Sequence, residues 1–245
     1  MENFEKKIVL VTGGGTGIGR ATASAFIAKG ATVIITGRRQ EVLEQTAQEL
    51  GTQCYAIVSD ISESGEASRI IDEVISQFGQ LDVVVNNAGT GSMGPLSQTT
   101  DDIIENIYRT NVFAPLALIR EATIHLAETK GTVINISSVT ASGMMPGVAA
   151  YASSKAAVEH ATRLLAVELG PMGIRINAVA PGLTDTDITE EVKANEQMLG
   201  MIIAQTPMGR LGAPKDIANA VMLLADNRAG WITGQCVQAG GGYLL

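Results

Sequence analysis

From its first residues to its last, this chain alternates short apolar runs with stretches of helical periodicity, and that alternation restricts the possible folds most. Ile8-Val9-Leu10-Val11-Thr12 precedes a helical pattern over residues 18–29, which stops at Gly30. The β-branched run Thr32-Val33-Ile34-Ile35-Thr36 precedes a helix over 40–50, and Cys54-Tyr55-Ala56-Ile57-Val58 precedes one over 67–78. Leu81-Asp82-Val83-Val84-Val85-Asn86 leads to a long helical region over 101–127, and Gly131-Thr132-Val133-Ile134-Asn135-Ile136 to a helix from about 151 to 169. Ile174-Arg175-Ile176-Asn177-Ala178-Val179, a helix over 217–225 and Gly234-Gln235-Cys236-Val237-Gln238 complete the series. Runs this short read as buried strands. Strands that alternate with helices imply a parallel sheet covered on both faces, with right-handed crossovers. The expectation is a single α/β domain over residues 1–245, with no linker and no repeat.

Composition narrows the partners. The net charge is −8 and no Lys/Arg-rich tract occurs, which argues against nucleic acid and anionic membrane surfaces. No signal-peptide core opens the chain, and no apolar stretch reaches the ~18 residues of a membrane span. A cytoplasmic protein is expected. Cys54 and Cys236 each lie inside an apolar segment and read as reduced, buried thiols. His125 and His160 lie in separate helical patterns without a partner at ligand spacing, so no metal site is expected.

Between the first strand and first helix lies Thr12-Gly13-Gly14-Gly15-Thr16-Gly17-Ile18-Gly19. Glycines there let backbone amides approach phosphate oxygens, and the helix N-terminus adds positive potential. The spacing G-x-x-x-G-x-G differs from G-x-G-x-x-G and points to one branch of the dinucleotide fold. At the other end, Tyr151 and Lys155 stand four apart, one turn from each other on a helix. An ammonium held there is expected to lower the phenol pKa from its usual value of about 10. Ser138 ends the fifth strand-like segment with a hydroxyl able to steady an oxygen that gains charge.

These motifs, with Asn86-Asn87-Ala88-Gly89, Asn111 and Pro181-Gly182, make the whole chain resemble the short-chain dehydrogenases/reductases. The resemblance implies a seven-stranded parallel Rossmann sheet and a homotetramer. It assigns Asn111, Ser138, Tyr151 and Lys155 to catalysis. It places a nicotinamide dinucleotide on Gly13, Thr16, Gly17, Ile18 and Gly19, with Asp60 and Ile61 at the adenine. Asn87, Ala88 and Gly89 would close the adenosine side, Tyr151 and Lys155 would meet the nicotinamide ribose, and Pro181, Gly182, Thr184 and Thr186 the carboxamide. Pro115 lies four residues after Asn111 and has no N–H, so a kink should free the Asn111 carbonyl to hold a water beside Lys155 as a proton relay.

The second strand ends Thr36-Gly37-Arg38-Arg39, without the carboxylate that binds a ribose 2′-hydroxyl. Two guanidiniums suit a 2′-phosphate, so NADP(H) is favoured, through Arg38 and Arg39, with NAD(H) as the alternative. Gly94, Thr140, Met145, Leu183 and Met201, with Ser138 and Tyr151, are the expected substrate walls. Segments 90–94 and 140–145 hold no Arg or Lys, so a neutral, apolar ketone or secondary alcohol is expected. Residues 183–209 resemble the family's lid and carry Met198, Met201 and Met208. A broad-specificity carbonyl reductase is the first expectation. A 3-oxoacyl-[acyl-carrier-protein] reductase and a non-catalytic dinucleotide-binding scaffold are the alternatives.

Overall fold

The structure, a computed structural model, describes residues 3–244, apart from the side chains at positions 188 and 191. Seven strands form one sheet: β1 (Ile8–Thr12), β2 (Thr32–Gly37), β3 (Cys54–Val58), β4 (Val83–Asn86), β5 (Thr132–Ile136), β6 (Arg175–Pro181) and β7 (Cys236–Ala239). Their order is β3-β2-β1-β4-β5-β6-β7, and every neighbouring pair is parallel. The helices are α1 (Gly17–Ile27), α2 (Gln40–Leu50), α3 (Glu66–Phe78), α4 (Asp101–Tyr108), α5 (Ala114–Thr129), α6 (Ala149–Leu169), α7 (Glu190–Ala194), α8 (Glu196–Gln205) and α9 (Pro214–Ala225). The expected doubly covered parallel sheet is present.

Strand alternation builds two cores. Val9, Val11, Val33 and Ile35 face one way and pack with Phe26 of α1 and Val221 of α9. Leu10, Ile34, Val84 and Val133 face the other way, against Ile70, Val74, Leu118 and Leu126 of α3 and α5. Each such side chain removed from water contributes roughly 1.5–3 kcal/mol. A buried polar chain crosses the second layer: Asn86 Nδ2 donates to Asn135 Oδ1 at 2.8 Å, and Asn135 Nδ2 to Thr162 Oγ1 at 2.9 Å. A one-residue slip of β4 on β5 would leave these amides without partners, so the chain fixes register.

Three features differ from the sequence expectation. The long helix over 101–127 is broken by a π-helical turn, Arg109–Phe113, between α4 and α5. The irregularity falls just before Pro115, whose ring would clash with the carbonyl of residue 111 in a regular helix, and a wider turn relieves that clash. The last strand starts at Cys236 rather than Gly234, and the lid region contains two short helices.

Sheet order reverses between β1 and β4: the chain runs outward to β2 and β3 on one side, and to β5, β6 and β7 on the other. The crevice beyond the carboxyl ends of strands at such a point is where this architecture binds ligands.

Candidate active site

The glycine turn sits at that crevice. Gly13 has φ +64° and Gly17 φ +53°, in the left-handed region that favours glycine. A Cβ on Gly19 would stand 2.3 Å from the Gly13 carbonyl oxygen and 2.5 Å from Asn87 Nδ2. Thr16 is the N-cap of α1 in extended conformation, and its side chain makes no capping bond. The free amides of the first turn of α1 therefore face the crevice edge, a ready anion site. Asn87 clamps the turn, its Nδ2 donating to the carbonyls of Thr12 and Gly13, while the amides of Asn87 and Ala88 donate to Thr12 Oγ1. A backbone cradle that a single Cβ would fill fits a dinucleotide diphosphate.

Arg38 and Arg39 stand at the end of β2, both largely exposed. Arg38 pairs with Asp60 at 3.7 Å, and Asp60 Oδ1 also accepts from the amide and hydroxyl of Ser62. Ile61, beside it, is half-buried against the second core. Arg39 pairs at 3.5 Å with Asp187, across the cleft. Thr186 lies over the turn, where its Cγ2 would be 3.1 Å from a Cβ on Gly17. A cavity of about 470 Å³ opens here, lined by Gly17, Arg20, Thr186 and Lys193 among others, and it adjoins the glycine turn rather than Tyr151.

Ser138, Tyr151, Lys155 and Asn111 converge deeper in. Alanine-rich sequence makes α6 a long helix, which gives way at Gly170-Pro171 to a short 3₁₀ turn. Tyr151 and Lys155 share its inner face, with the Lys155 ammonium 5.8 Å from the Tyr151 ring centroid. Ser138 is hydrogen-bonded to Tyr151, and its Oγ lies 2.9 Å from Thr140 Oγ1. Lys155 is buried, donates to the Ile136 carbonyl at 2.8 Å, and has no carboxylate in an ion pair with it among the described residues. Burial pulls its pKa down from 10.5 to about 8.

The expected lowering of the tyrosine pKa is not found. Burial raises the Tyr151 pKa, and the hydrogen bond from Ser138 opposes that shift only in part. Desolvation dominates, because a phenolate taken out of water loses its hydration and the neutral phenol does not.

The Asn111 side chain is fully engaged. Oδ1 accepts from the Thr90 amide at 2.9 Å, and Nδ2 donates to the Thr90 carbonyl at 2.8 Å and to Ser154 Oγ at 3.0 Å. It thereby stitches residues 89–91 onto α6. The loop comes close: a Cβ on Gly89 would stand 3.3 Å from Lys155 Nζ, and one on Gly91 3.1 Å from Cδ2 of Tyr151. Sequence reasoning held Gly91 only as part of the 90–94 wall segment and missed Ser154. It also missed Glu159, a buried carboxylate one turn beyond Lys155 that accepts from Ser137 Oγ at 2.8 Å. Helical spacing from Tyr151 was the signal for Glu159.

Of the expected substrate walls, Gly94 donates to the Gly147 carbonyl at 2.8 Å, joining the two loops that flank Tyr151. Thr140 and Met145 are half-buried on those loops. Leu183 packs against the cluster of Val139, Ile202 and Tyr243, whose Val139 follows Ser138. Met201 is 53% exposed, whereas Met198 packs against the Val139 cluster instead. Beyond Leu183, Gly182 donates to Ala239 and follows Pro181 at the end of β6, and Thr184 and Thr186 are tied by local hydroxyl bonds.

The geometry has close counterparts. Residues 13–244 match the family model described as enoyl-(acyl carrier protein) reductase. The 3-oxoacyl-[acyl-carrier-protein] reductase FabG of Escherichia coli is 35% identical over 244 residues, 99% of each chain. A short-chain type dehydrogenase/reductase from Mycobacterium ulcerans superposes with a TM-score of 0.94 at 32% identity, covering 98% of this chain and 90% of that one. A candidate NAD(P)-dependent gluconate 5-dehydrogenase from Beutenbergia cavernae, with NADP bound at low occupancy, gives 0.93 at 32% identity over 99% and 98%. Matches this extensive, in sequence and in backbone, show that the chain is an NAD(P)-dependent oxidoreductase belonging to the short-chain dehydrogenase/reductase family.

Proposed function

We propose that the protein is an NADP(H)-dependent carbonyl reductase that interconverts apolar ketones and secondary alcohols. One observation carries this reading: a buried lysine, without a carboxylate ion pair among the described residues, lies one helical turn from a tyrosine whose hydroxyl is hydrogen-bonded to a serine. A cation kept so far from water is costly and marks a site where charge is used.

When bound, the nicotinamide supplies or accepts the hydride. Gly13, Thr16, Gly17, Ile18 and Gly19 would hold the diphosphate, Asp60 and Ile61 the adenine, and Asn87, Ala88 and Gly89 the adenosine side. Pro181, Gly182, Thr184 and Thr186 would hold the carboxamide. Arg38 and Arg39 support the 2′-phosphate, since β2 ends without an acid. In reduction, Tyr151 gives its proton to the substrate oxygen and Ser138 donates a hydrogen bond to the same oxygen. The Lys155 cation then stabilises the tyrosinate that remains. Burial disfavours the tyrosinate in the free protein, so Tyr151 enters the reaction protonated, and the Lys155 charge offsets part of the cost of releasing that proton. Asn111 holds the loop over these groups, and its carbonyl, denied an N–H by Pro115, would take a water of the relay. Oxidation reverses each step.

We read residues 1–245 as one cytoplasmic domain carrying both cofactor and substrate sites, with no nucleic-acid or membrane partner. Among the described residues, no helix is long and apolar enough to cross a membrane. Exposed Phe113, Leu164 and Val167 near and on α5 and α6, and Val237 on the edge strand, support a homotetramer.

Reduction of 3-oxoacyl groups on a carrier protein is the second reading, favoured by the likeness to FabG. The net charge of −8 weighs against docking an acidic carrier. Cofactor absorbance, followed with NADPH and NADH over aryl ketones, aliphatic ketones and a 3-ketoacyl thioester, separates these readings. Preference for the thioester would replace the carbonyl-reductase assignment, and preference for NADH would overturn the cofactor assignment.

A further inference from the structure

The segment after β7 takes no part in the chemistry above, yet it is tightly shaped. A Cβ on Gly240 would stand 2.8 Å from Cγ1 of Val139, and one on Gly182 2.7 Å from the Gly240 Cα. Gly242, at φ +88°, leaves room only for Pro207, whose Cγ would be 2.7 Å from an added Cβ. The Met208 amide donates to the Gly241 carbonyl at 3.1 Å. These glycines are wedged between the turn that follows Ser138 and the foot of α8.

Tyr243, 7% exposed, and Leu244 come next. With Val139, Leu183, Val192, Met198 and Ile202 they form a small apolar cluster apart from the two sheet cores. Its members come from the catalytic-serine turn, the end of β6 and the α7–α8 segment. Leu244 has φ +56°, a conformation unfavourable for leucine, and its Cβ would be 2.7 Å from a Cβ on Gly143. Strain of this kind persists only where the surroundings impose it.

We propose that Tyr243 and Leu244 are the seat of the lid: their side chains hold the α7–α8 segment against the turn carrying Ser138, and they form the far wall that selects the apolar end of the substrate. The wall rests on the ketone-reductase reading; the seat does not. Val139 follows Ser138 directly, so the packing that places the lid also places the hydroxyl.

Three variants test this: Tyr243→Ala, Tyr243→Phe and Leu244→Gly. The last removes the side chain and relieves the backbone, so it should fold at least as well. Amide hydrogen exchange over residues 190–205 in the free protein should accelerate about tenfold or more in Tyr243→Ala, with β1–β6 unchanged. KM for small ketones should rise about tenfold while cofactor Kd stays within about twofold. Tyr243→Phe, which keeps the ring, should match the wild type. Leu244→Gly should retain its Tm and shift preference toward bulkier ketones. Unchanged exchange in Tyr243→Ala, or acceleration spread evenly over the whole sheet, overturns the seat. Unchanged size preference in Leu244→Gly overturns the wall. A wild type without ketone turnover refutes the reductase reading and the wall together, while exchange still decides the seat.

Discussion

Arg39 reaches Asp187 across the nucleotide cleft, their charged groups 3.5 Å apart although 148 positions separate them in sequence. Arg38 is likewise engaged, with Asp60 at 3.7 Å. Both arginines proposed to read a 2′-phosphate thus face a carboxylate already. Exposed pairs of this kind are worth roughly 0–1 kcal/mol, so a phosphate displaces them at small cost. Asp187→Asn should raise kcat/KM for NADPH about two- to fivefold and leave NADH unchanged. Arg38→Gln and Arg39→Gln should lower the NADPH value about tenfold each. Initial-rate kinetics with both cofactors check this; a fall in NADPH efficiency in Asp187→Asn would refute the competition.

Lys155 should weaken the fold that needs it. Its pKa in the folded protein, about 8, lies below the ordinary 10.5. The unfolded chain therefore binds more protons between those values, and this group's contribution to stability rises as pH climbs through that window. Below about pH 8 the full penalty, about 3 kcal/mol, is present. Lys155→Met removes that penalty but leaves the Ile136 carbonyl without its donor, a loss of about 1 kcal/mol or more. Denaturant unfolding at neutral pH should show a net gain of about 1–2 kcal/mol, while turnover falls by about a thousandfold.

The same group shapes the rate profile. Reduction needs a protonated tyrosine and a charged lysine. Tyr151 keeps its proton beyond the ordinary phenol range, whereas Lys155 loses its charge from about pH 8 upward. For reduction, kcat/KM should be flat below that pH and fall above it, as measured over a buffer series. Lys155→Arg should abolish the alkaline limb, because a guanidinium stays charged there.

Asn111→Ala cuts the three bonds that join Thr90 and Ser154. Buried partners left unsatisfied cost about 1–3 kcal/mol, and the loop carrying Gly89 and Gly91 loosens over Lys155 and Tyr151. Turnover should drop about tenfold or more while cofactor Kd shifts by less than threefold, by stopped-flow and fluorescence titration. Unchanged kcat would remove Asn111 from the mechanism.

The sheet was legible because β-branched runs such as Thr32-Val33-Ile34-Ile35 carry their own period, and Tyr151 with Lys155 because helical spacing is local. Backbone glycines at φ +64° and +53° were legible for the same reason, since only glycine relaxes there. Asp187 against Arg39, and Tyr243 against Val139, were hidden because such contacts arise only when distant segments close on each other. The tyrosine pKa was misjudged for a related reason: sequence reveals a neighbouring charge but not how far the pair is removed from water.

The wide turn at Arg109–Phe113 places one extra residue in what would otherwise be a regular helix. Deleting one residue there would close the wide turn to a regular one and change the direction in which the side chain at 111 leaves the helix. Such a chain would have a straighter rod and an amide pointing away from Thr90. A deletion in this segment should therefore lower turnover even where each named side chain of the centre is retained.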